Sequence, residues 1–483
     1  MVRKTFVVKA CAILILGCWL APWRLQAQSF TASLQGTITD STGAVVPGAQ
    51  VSLTNEATNV KQSGRANDRG AYLFTLLPPG VYKLVVEMTG FQTSVRSGMV
   101  LQVQQQANVD VALTVGDVTA SVVVAGESPR LDSVNATLGR VVENKTVLSM
   151  PLNSRNILDL AILAPGVVGS PGGTGTNFLS NGVRNSQSDV LIDGVTAAVH
   201  EQGGGATDVK FRPTVELIQE FKVQTNSFNA EYGFTGGAVV NVVTRSGSNQ
   251  VHGSLFEFLR NSSLNANNFF SNRAGRAIVP FRRNQFGGAV GGPVSIPRLY
   301  DGRDKTFFFF HHEGTKQSSQ ATTTQTLPTI LQKQGDFSQT LDAQGRLIRI
   351  FDPYAVTRDA AGNPIRAAFA GNRIPAPRFN PVAVNAIKFY PNPNQPGLPF
   401  TQTSNFFQSG ATVSNAYQNT SKIDHNFNDR QRLSGRYSRA QDSNKPTNFW
   451  GEGNWMVSSG ADRRAIERIM PRLTTPTPSA PRP

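Results

Sequence analysis

The stretch from Asn181 to Thr244 decides how this chain folds, because five short blocks follow one another there in a fixed order. The blocks are NGVRN (181–185), VLIDGV (190–195), IQEFKV (218–223), AEYG (230–233) and GGAVVNVVT (236–244). Apolar and β-branched runs alternate with Asn, Asp and Gly, which is typical of short strands joined by tight turns. VLIDGV, for example, predicts a strand that ends in a turn at Asp193 and Gly194.

In this order the five blocks resemble the plug domain of TonB-dependent outer-membrane receptors. The resemblance implies a mixed α/β plug over residues 116–247, a β-barrel around it and a salt-linked gate that holds the plug against the barrel wall. The candidate gate residues are Arg184, Asp193, Gly194 and Glu220. The alternative is a surface arginine and a turn aspartate with no gating role, since surface ion pairs contribute little.

A second expectation from the same resemblance concerns the segment before the plug. In this family a short extended segment there can pair with a periplasmic energy-coupling protein of the TonB type. The run 118–124 has the required β propensity, and its candidate residues are Val118, Val122, Val123 and Val124. Such pairing adds a strand to the partner's sheet edge and requires only exposed backbone. An ordinary strand or linker is the competing interpretation.

Residues 151–166 predict the early helix of the plug. The apolar run begins at Ile157, and Asn153 or Ser154 is a suitable N-cap before it. Pro165 and Gly166 then end the helix, because proline and glycine commonly follow a helix C-terminus.

The segment 28–115 predicts a small β-sandwich, because its short strands alternate apolar and polar residues between turns such as NDRG (67–70) and LPPG (77–80). These features resemble a carboxypeptidase regulatory-like domain, which has a prealbumin-like or starch-binding-like fold. Some members are grouped with carbohydrate binders, so an aromatic sugar platform is one expectation and core packing the other. The candidate platform residues are Tyr72, Phe74, Tyr82 and Phe91.

The resemblance to a peptidase-associated domain does not predict an enzyme. A zinc peptidase needs closely spaced His and Glu ligands plus a third ligand. The five histidines are not arranged in that spacing, so we expect no catalytic residues, no metal and no cofactor.

The first 27 residues predict a cleaved secretory signal peptide, with basic residues, an apolar core and the cleavage motif LQA (25–27). Both cysteines, Cys11 and Cys18, fall inside this leader, so the mature chain would have no disulfide. A lipoprotein cleavage site at Cys18 is the alternative. We therefore expect export and an outer-membrane location.

The chain carries a formal net charge of +15, of which four charges belong to the leader. The basic residues are scattered and follow no nucleic-acid motif, which favours contact with acidic outer-membrane lipid over nucleic acid.

Residues 248–483 predict the first strands of a transmembrane β-barrel of the Oar-like group. The candidate strands are 251–260, 283–293, 305–314 and the hairpin 421–438. The stretch 317–406, rich in Pro, Asn and Thr, is expected to be an extracellular loop. A plugged barrel takes about 22 strands, whereas about 230 residues follow Gln250. The barrel is therefore expected to be partial, as in a truncated or frame-shifted receptor.

These expectations define a mainly β chain that binds and imports a large solute, possibly a carbohydrate or a peptide, with a TonB-type partner. The alternative is a non-transporting surface or periplasmic protein whose sandwich binds carbohydrate.

Overall fold

The computed structural model describes residues 30–116, 121–125, 137–152, 155–169, 178–183, 187–199, 208–209, 211–232, 235–273, 275–429, 431–449 and 472–474. The predicted leader, Val118 and Arg184 lie outside these residues. Within them, no helix is both long enough and apolar enough to cross a bilayer.

The N-terminal part forms nine strands. They are β1 (Ala32–Asp40), β2 (Gln50–Asn55), β3 (Lys61–Arg65), β4 (Ala71–Leu77), β5 (Gly80–Glu87), β6 (Thr93–Leu101), β7 (Gln106–Asn108), β8 (Val111–Leu113) and β9 (Ser121–Ala125). One sheet has the order β4-β1-β7, with β8 also on β1, and the other has the order β3-β2-β5-β6-β9. Alternate residues such as Leu34 and Ile38 are fully buried between the sheets, which is the period expected of strands with one wet face.

Three of the four predicted sugar-platform residues belong to this core. The rings of Tyr72, Phe74 and Tyr82 are at most 6% exposed. The hydroxyl groups of Tyr72 and Tyr82 donate hydrogen bonds of 2.7 Å to main-chain oxygens of the sandwich itself. A sugar platform needs exposed rings, so the platform prediction is wrong for these three residues. Phe91 is half-buried against the same core.

The residues predicted to form the plug follow as a second unit, and the name plug stands below for the elements from Leu138 to Thr244. Its elements are β10 (Leu138–Glu143), α1 (Asn144–Ser149), a 3-10 helix (Ile157–Leu163), β11 (Val167–Gly169), β12 (Phe178–Ser180), β13 (Asp189–Ile192), β14 (Val195–Thr196), β15 (Ala198–Val199), β16 (Asp208–Val209), a 3-10 turn (Val215–Leu217), β17 (Ile218–Asn226), a second 3-10 turn (Ala230–Tyr232) and β18 (Val239–Thr244). The central sheet has the order β10-β17-β18-β13-β14. The early helix is a 3-10 helix capped by the side chain of Asn156, three or two residues later than the predicted cap.

The C-terminal part begins with β19 (His252–Asn261) and continues through a 3-10 turn (Ser262–Leu264), α2 (Phe269–Arg273), β20 (Phe281–Pro293), β21 (Ser295–Ile296), β22 (Tyr300–Asp301), β23 (Thr306–Gln325), α3 (Ile330–Lys333), β24 (Phe351–Arg358), β25 (Pro364–Ala368), two 3-10 turns (Ala370–Asn372 and Ala376–Arg378), α4 (Pro381–Ile387), β26 (Phe406–Asn428), β27 (Gln431–Lys445) and β28 (Arg472–Thr474). Six of these strands form one sheet in the order β19-β20-β23-β26-β27-β28. The predicted loop begins at residue 326, because β23 stays paired with β26 as far as Gln325.

The two faces of this six-stranded sheet differ in what they contact. Along β23, Phe307 and Phe309 are buried, whereas Phe310 is 42% exposed on the other face. Large apolar side chains share that outer face on the neighbouring strands, namely Leu255, Leu259, Val290, Ile423 and Tyr437. The four consecutive phenylalanines 307–310 are thus divided between the two faces of the sheet, as the period of a strand requires.

Candidate functional site

The plug sheet is positioned by β18, whose six residues are all buried. Asn241 contacts Gln104 of the sandwich on one face, and Thr244 contacts Lys422 of β26 on the other. A strand covered on both faces favours a continuous apolar run over alternation, which is what VVNVV supplies. The sheet is therefore held between the sandwich and the six-stranded sheet.

One buried charge cluster joins the plug to the six-stranded sheet at the Asp193–Gly194 turn. The Asp193 carboxylate accepts hydrogen bonds from the Thr244 N–H (2.8 Å) and hydroxyl (2.7 Å). Its Oδ2 also lies 3.2 Å from Nε of Arg436 on β27. Both residues of this ion pair are at most 4% exposed, so removal of either would leave a charge buried without its partner.

The same cluster is completed by a second cation. Lys422 Nζ donates to the Thr244 hydroxyl at 3.2 Å and carbonyl at 3.3 Å, and Arg436 Nη2 donates to the Ile192 carbonyl at 3.2 Å. Burial alone would raise the pKa of the Asp193 carboxyl. Lys422, Arg436 and the Thr244 hydrogen bonds outweigh burial, so the pKa is lowered and the carboxylate stays charged at neutral pH.

Both turn residues have left-handed backbone conformations, with φ of 48° at Asp193 and 75° at Gly194. Asp and Gly are the residues that tolerate this region in a two-residue hairpin turn. The turn connects β13 to β14 and so aims the carboxylate at Thr244 and Arg436.

A second buried cluster lies around Glu216. Arg155 forms an ion pair with Glu216 inside the plug, and its guanidinium stacks 3.8 Å from the ring centre of Phe258 on β19. The Thr214 hydroxyl is 3.0 Å from Nε2 of His311 on β23. A cation over an aromatic face stabilises by about 0.5–2 kcal/mol, so Arg155 links the plug to the sheet by its stacking as well as its charge.

Within this cluster Glu216, His311 and Glu313 each bring a ligand-type atom within 4.8 Å of the other two. Two carboxylates and an imidazole are a donor set that a divalent cation would accept. However, Arg155 is paired with Glu216, and Gln285 donates a 2.5 Å hydrogen bond to Glu313. Both carboxylates therefore already have a partner within the protein, which favours a contact between plug and sheet over a metal centre.

Glu220 was predicted at the gate, and the structure corrects this position. Its carboxylate faces the sandwich, where it accepts a hydrogen bond from the Val103 N–H. The pKa of Glu220 is raised to about 7, mainly by burial and also by the nearby Glu143, against the lowering effects of the Val103 hydrogen bond and Lys222. Glu220 thus belongs to the sandwich–plug contact, because side chains of β17 alternate between the two faces of the sheet.

The predicted coupling residues Val122, Val123 and Val124 lie in β9. This strand pairs in parallel with β6 of the sandwich and forms the end of that sheet. The candidate coupling segment is therefore already paired within the chain.

The functional residues that sequence reasoning missed are Arg155, Glu216, Lys422 and Arg436. Lys422 and Arg436 occupy positions in β26 and β27 that alternate with outward-facing Ile423 and Tyr437. A cation at a strand position that faces the plug indicates a contact with the plug. Lys422 and Arg436 could be recognised in this way only once the face of the sheet that contacts the plug was known.

A cavity of about 770 Å³ lies where the sandwich, the plug and the β26–β27 turn meet. Its lining includes Thr75, Tyr82, Gln219, His252 and Arg432. The cavity lies at the end of the six-stranded sheet opposite to the long loop 326–405.

The comparisons with known proteins agree with this arrangement. Residues 243–469 match an outer membrane beta barrel domain, and residues 33–114 match a carboxypeptidase regulatory-like domain. By these matches the chain is similar to outer-membrane receptors of the TonB-dependent class.

Among curated proteins, the chain is similar to the TonB-dependent transporter Oar of Myxococcus xanthus. It is 26% identical over 321 residues, which cover 64% of this chain and 28% of the relative. The predicted resemblance to Oar-like receptors is thereby confirmed, as is the mainly β fold. The chain spans little more than a quarter of the length of this relative.

Two solved structures are also similar. The siderophore receptor PirA from Acinetobacter baumannii is 14% identical, with 67% of this chain and 34% of that chain covered at a TM-score of 0.34. The outer membrane transporter YddB from Escherichia coli is 11% identical, with 64% and 34% covered at a TM-score of 0.39.

Proposed function

We propose that this chain acts in the binding and import of a large solute across the outer membrane, with its plug as the gate. The observation that carries the proposal is the buried ion pair between Asp193 of the plug and Arg436 of β27. A buried ion pair breaks only when its groups separate, so it can hold a gate closed until the plug is moved.

The proposed source of that movement is a periplasmic TonB-type protein that adds a strand to β9. Such recognition depends on main-chain hydrogen bonds and a free strand edge. β9 meets this requirement because it ends its sheet, with β6 on one side and no further strand on the other among the described residues.

The partner is tested by the binding of a purified TonB-type periplasmic domain to the full chain in detergent. Val122→Pro and Val123→Pro each remove one main-chain donor, and successive N–H groups of a strand point to opposite edges. The variant that loses the donor on the outer edge of β9 is therefore expected to weaken binding at least tenfold, and the matching alanine variant, which retains the donor, is its control. Parental binding by both proline variants would exclude strand addition at β9.

The gate is tested in cells by the entry of vancomycin, which the outer membrane normally excludes. Arg436→Met is expected to increase vancomycin sensitivity relative to the parent at equal outer-membrane abundance. Arg439→Met on the same strand is the control. Unchanged sensitivity of Arg436→Met would contradict the gate.

The alternative of a non-transporting carbohydrate-binding protein receives less support. A sugar site needs exposed aromatic rings, and Tyr72, Phe74 and Tyr82 are core residues.

A further inference from the structure

The strand β6 has two distinct contacts that join the sandwich to the plug. Along its edge it pairs with β9 in a parallel register of five residues, from Thr93 opposite Ser121 to Ser97 opposite Ala125. At its C-terminal end it leads directly into the turn 102–105, which contacts the plug. β6 therefore pairs with the candidate coupling segment β9 and also leads into the turn 102–105, which we call the docking turn.

The docking turn contacts the plug where β10 meets β17. Gln102 Nε2 donates a 3.0 Å hydrogen bond to Glu143 at the end of β10, and the Val103 N–H donates to Glu220 of β17. Glu143 and Glu220 are opposite each other in the antiparallel β10–β17 register. The docking turn is thus hydrogen-bonded to both residues of the last β10–β17 pair, at the edge of the plug sheet.

Further along the turn, Gln104 reaches the centre of the plug sheet. Its side-chain oxygen accepts a 3.0 Å hydrogen bond from Asn241 of β18, and its amide nitrogen contacts the hydroxyl of Tyr232. Both plug residues are at most 3% exposed. Contacts that are this buried resist separation, because their polar groups would lose partners on opening.

The order of these elements along the chain determines how a pull on β9 would be transmitted to the plug. β9 is followed in the chain by β10, and β10 is the edge strand of the plug sheet. A pull on β9 reaches β10 at its Leu138 end, while the turn 102–105 holds the Glu143 end. An antiparallel pair loaded from one end opens one hydrogen-bonded pair after another, so the fastened end resists last.

We propose that the sandwich is a latch in cis for the plug: β6 holds β9, and the turn 102–105 holds β10 against β17. A partner strand engages the outer edge of β9, and the plug edge opens only after β9 has left β6. This inference rests on the proposed function only for the assignment of β9 as the coupling segment. The pairing of β9 with β6 and its effect on β10 are independent of any partner.

The pairing is tested by disulfide formation in the full chain with Cys11 and Cys18 replaced by Ala. Val95 and Val123 are register partners, so Val95→Cys with Val123→Cys brings two thiols to adjacent strand positions. In the control, Val95→Cys is combined with Ala125→Cys, two positions out of register. Its Cα atoms lie roughly 8 Å apart, beyond the reach of a disulfide.

Under mild oxidant the first pair is expected to crosslink nearly completely and at least tenfold faster than the control pair. Equal rates, or no crosslink in either pair, would overturn the latch.

The effect on the plug is tested by hydrogen exchange at the β10 amides, Leu138–Glu143. Val123→Pro is expected to increase β10 exchange at least tenfold over the parent, whereas the oxidised cysteine pair is expected to slow it. Exchange at β13 serves as the internal control and should remain unchanged. Unchanged β10 exchange in Val123→Pro would overturn the latch, even with the crosslink formed.

The partner is then added as a separate arm, with the purified TonB-type periplasmic domain as the probe. The oxidised pair is expected to bind this domain on the free edge of β9 while β10 exchange stays slow. The reduced pair is expected to bind it with faster β10 exchange. If neither form binds the domain, the proposed function fails, while the crosslink and exchange results still decide the latch.

Discussion

Arg436 on β27 places its Nε 3.2 Å from Oδ2 of Asp193 in the plug turn, with both side chains almost completely buried. Lys422 lies on the same side of the turn and bonds to Thr244, which itself holds Asp193. Contact between plug and sheet therefore depends on charges that water does not screen.

The first prediction concerns this ion pair. Arg436→Met or Asp193→Asn alone is expected to lower the free energy of unfolding by about 3–5 kcal/mol, because each leaves a buried charge without its partner. The double variant should lose clearly less than the sum of the two. A double-mutant cycle by urea unfolding in detergent measures this coupling. Additive losses would show that the two residues do not interact.

Much of the fold follows from sequence pattern, and the reasons are local. Alternation predicts β1, the Asp-Gly pair predicts the β13–β14 turn, and the hairpin at Asn428 is marked by its polar turn residues. Each of these features depends on residues that are close in sequence. These strands and turns can therefore be predicted directly from the sequence.

The partners of the site residues could not be read from the chain in the same way. Glu220 and Asp193 are both acidic residues at strand ends of the plug, yet one faces the sandwich and the other faces β27. That difference is set by how three sheets stack, which no local pattern encodes. The cap at Asn156 was missed for a simpler reason, since several residues near it could cap a helix equally well.

The second prediction concerns pH and Glu220. Its pKa is raised from 4.5 to about 7 in the folded chain, so its contribution to stability is fully present below pH 4.5 and is lost as pH rises through about 7. The folded chain should lose up to about 3 kcal/mol between pH 5 and pH 8 from this group. Urea unfolding at both pH values measures the change.

Glu220→Gln should remove most of this dependence and raise stability at pH 8. Glu143→Gln, which alters the exposed neighbour, is the matched control and should retain most of it. If Glu220→Gln shows the parent's pH dependence, the carboxyl group is not the titrating residue.

The third prediction concerns the Glu216 cluster. Because Arg155 is already the partner of Glu216, dialysis against EDTA should leave the unfolding midpoint of the parent unchanged. Arg155→Ala should lower the free energy of unfolding by about 3 kcal/mol, and adding Glu216→Gln should recover much of the loss. A midpoint that falls with EDTA and is restored by Zn²⁺ would instead identify a metal centre.

The fourth prediction concerns Gly247, between β18 and β19. A Cβ atom there would lie 2.3 Å from the Phe308 carbonyl oxygen and 2.6 Å from that of Gly292. Gly247→Ala should therefore push the plug exit away from the sheet and lower stability by about 2–4 kcal/mol. Gly169→Ala is the control, since its Cβ would meet nothing within 4 Å. Equal unfolding midpoints for the two variants would contradict this close contact.

The central claim, an outer-membrane receptor chain whose plug is seated on barrel strands, is tested most directly by one measurement. The chain is expressed with its leader in a Gram-negative host, the membranes are fractionated, and heat-modifiability is followed by gel electrophoresis. We expect recovery in the outer membrane as a species whose mobility changes on boiling, because backbone groups of a membrane-spanning sheet must all be paired. Recovery only as soluble or aggregated periplasmic material would contradict it.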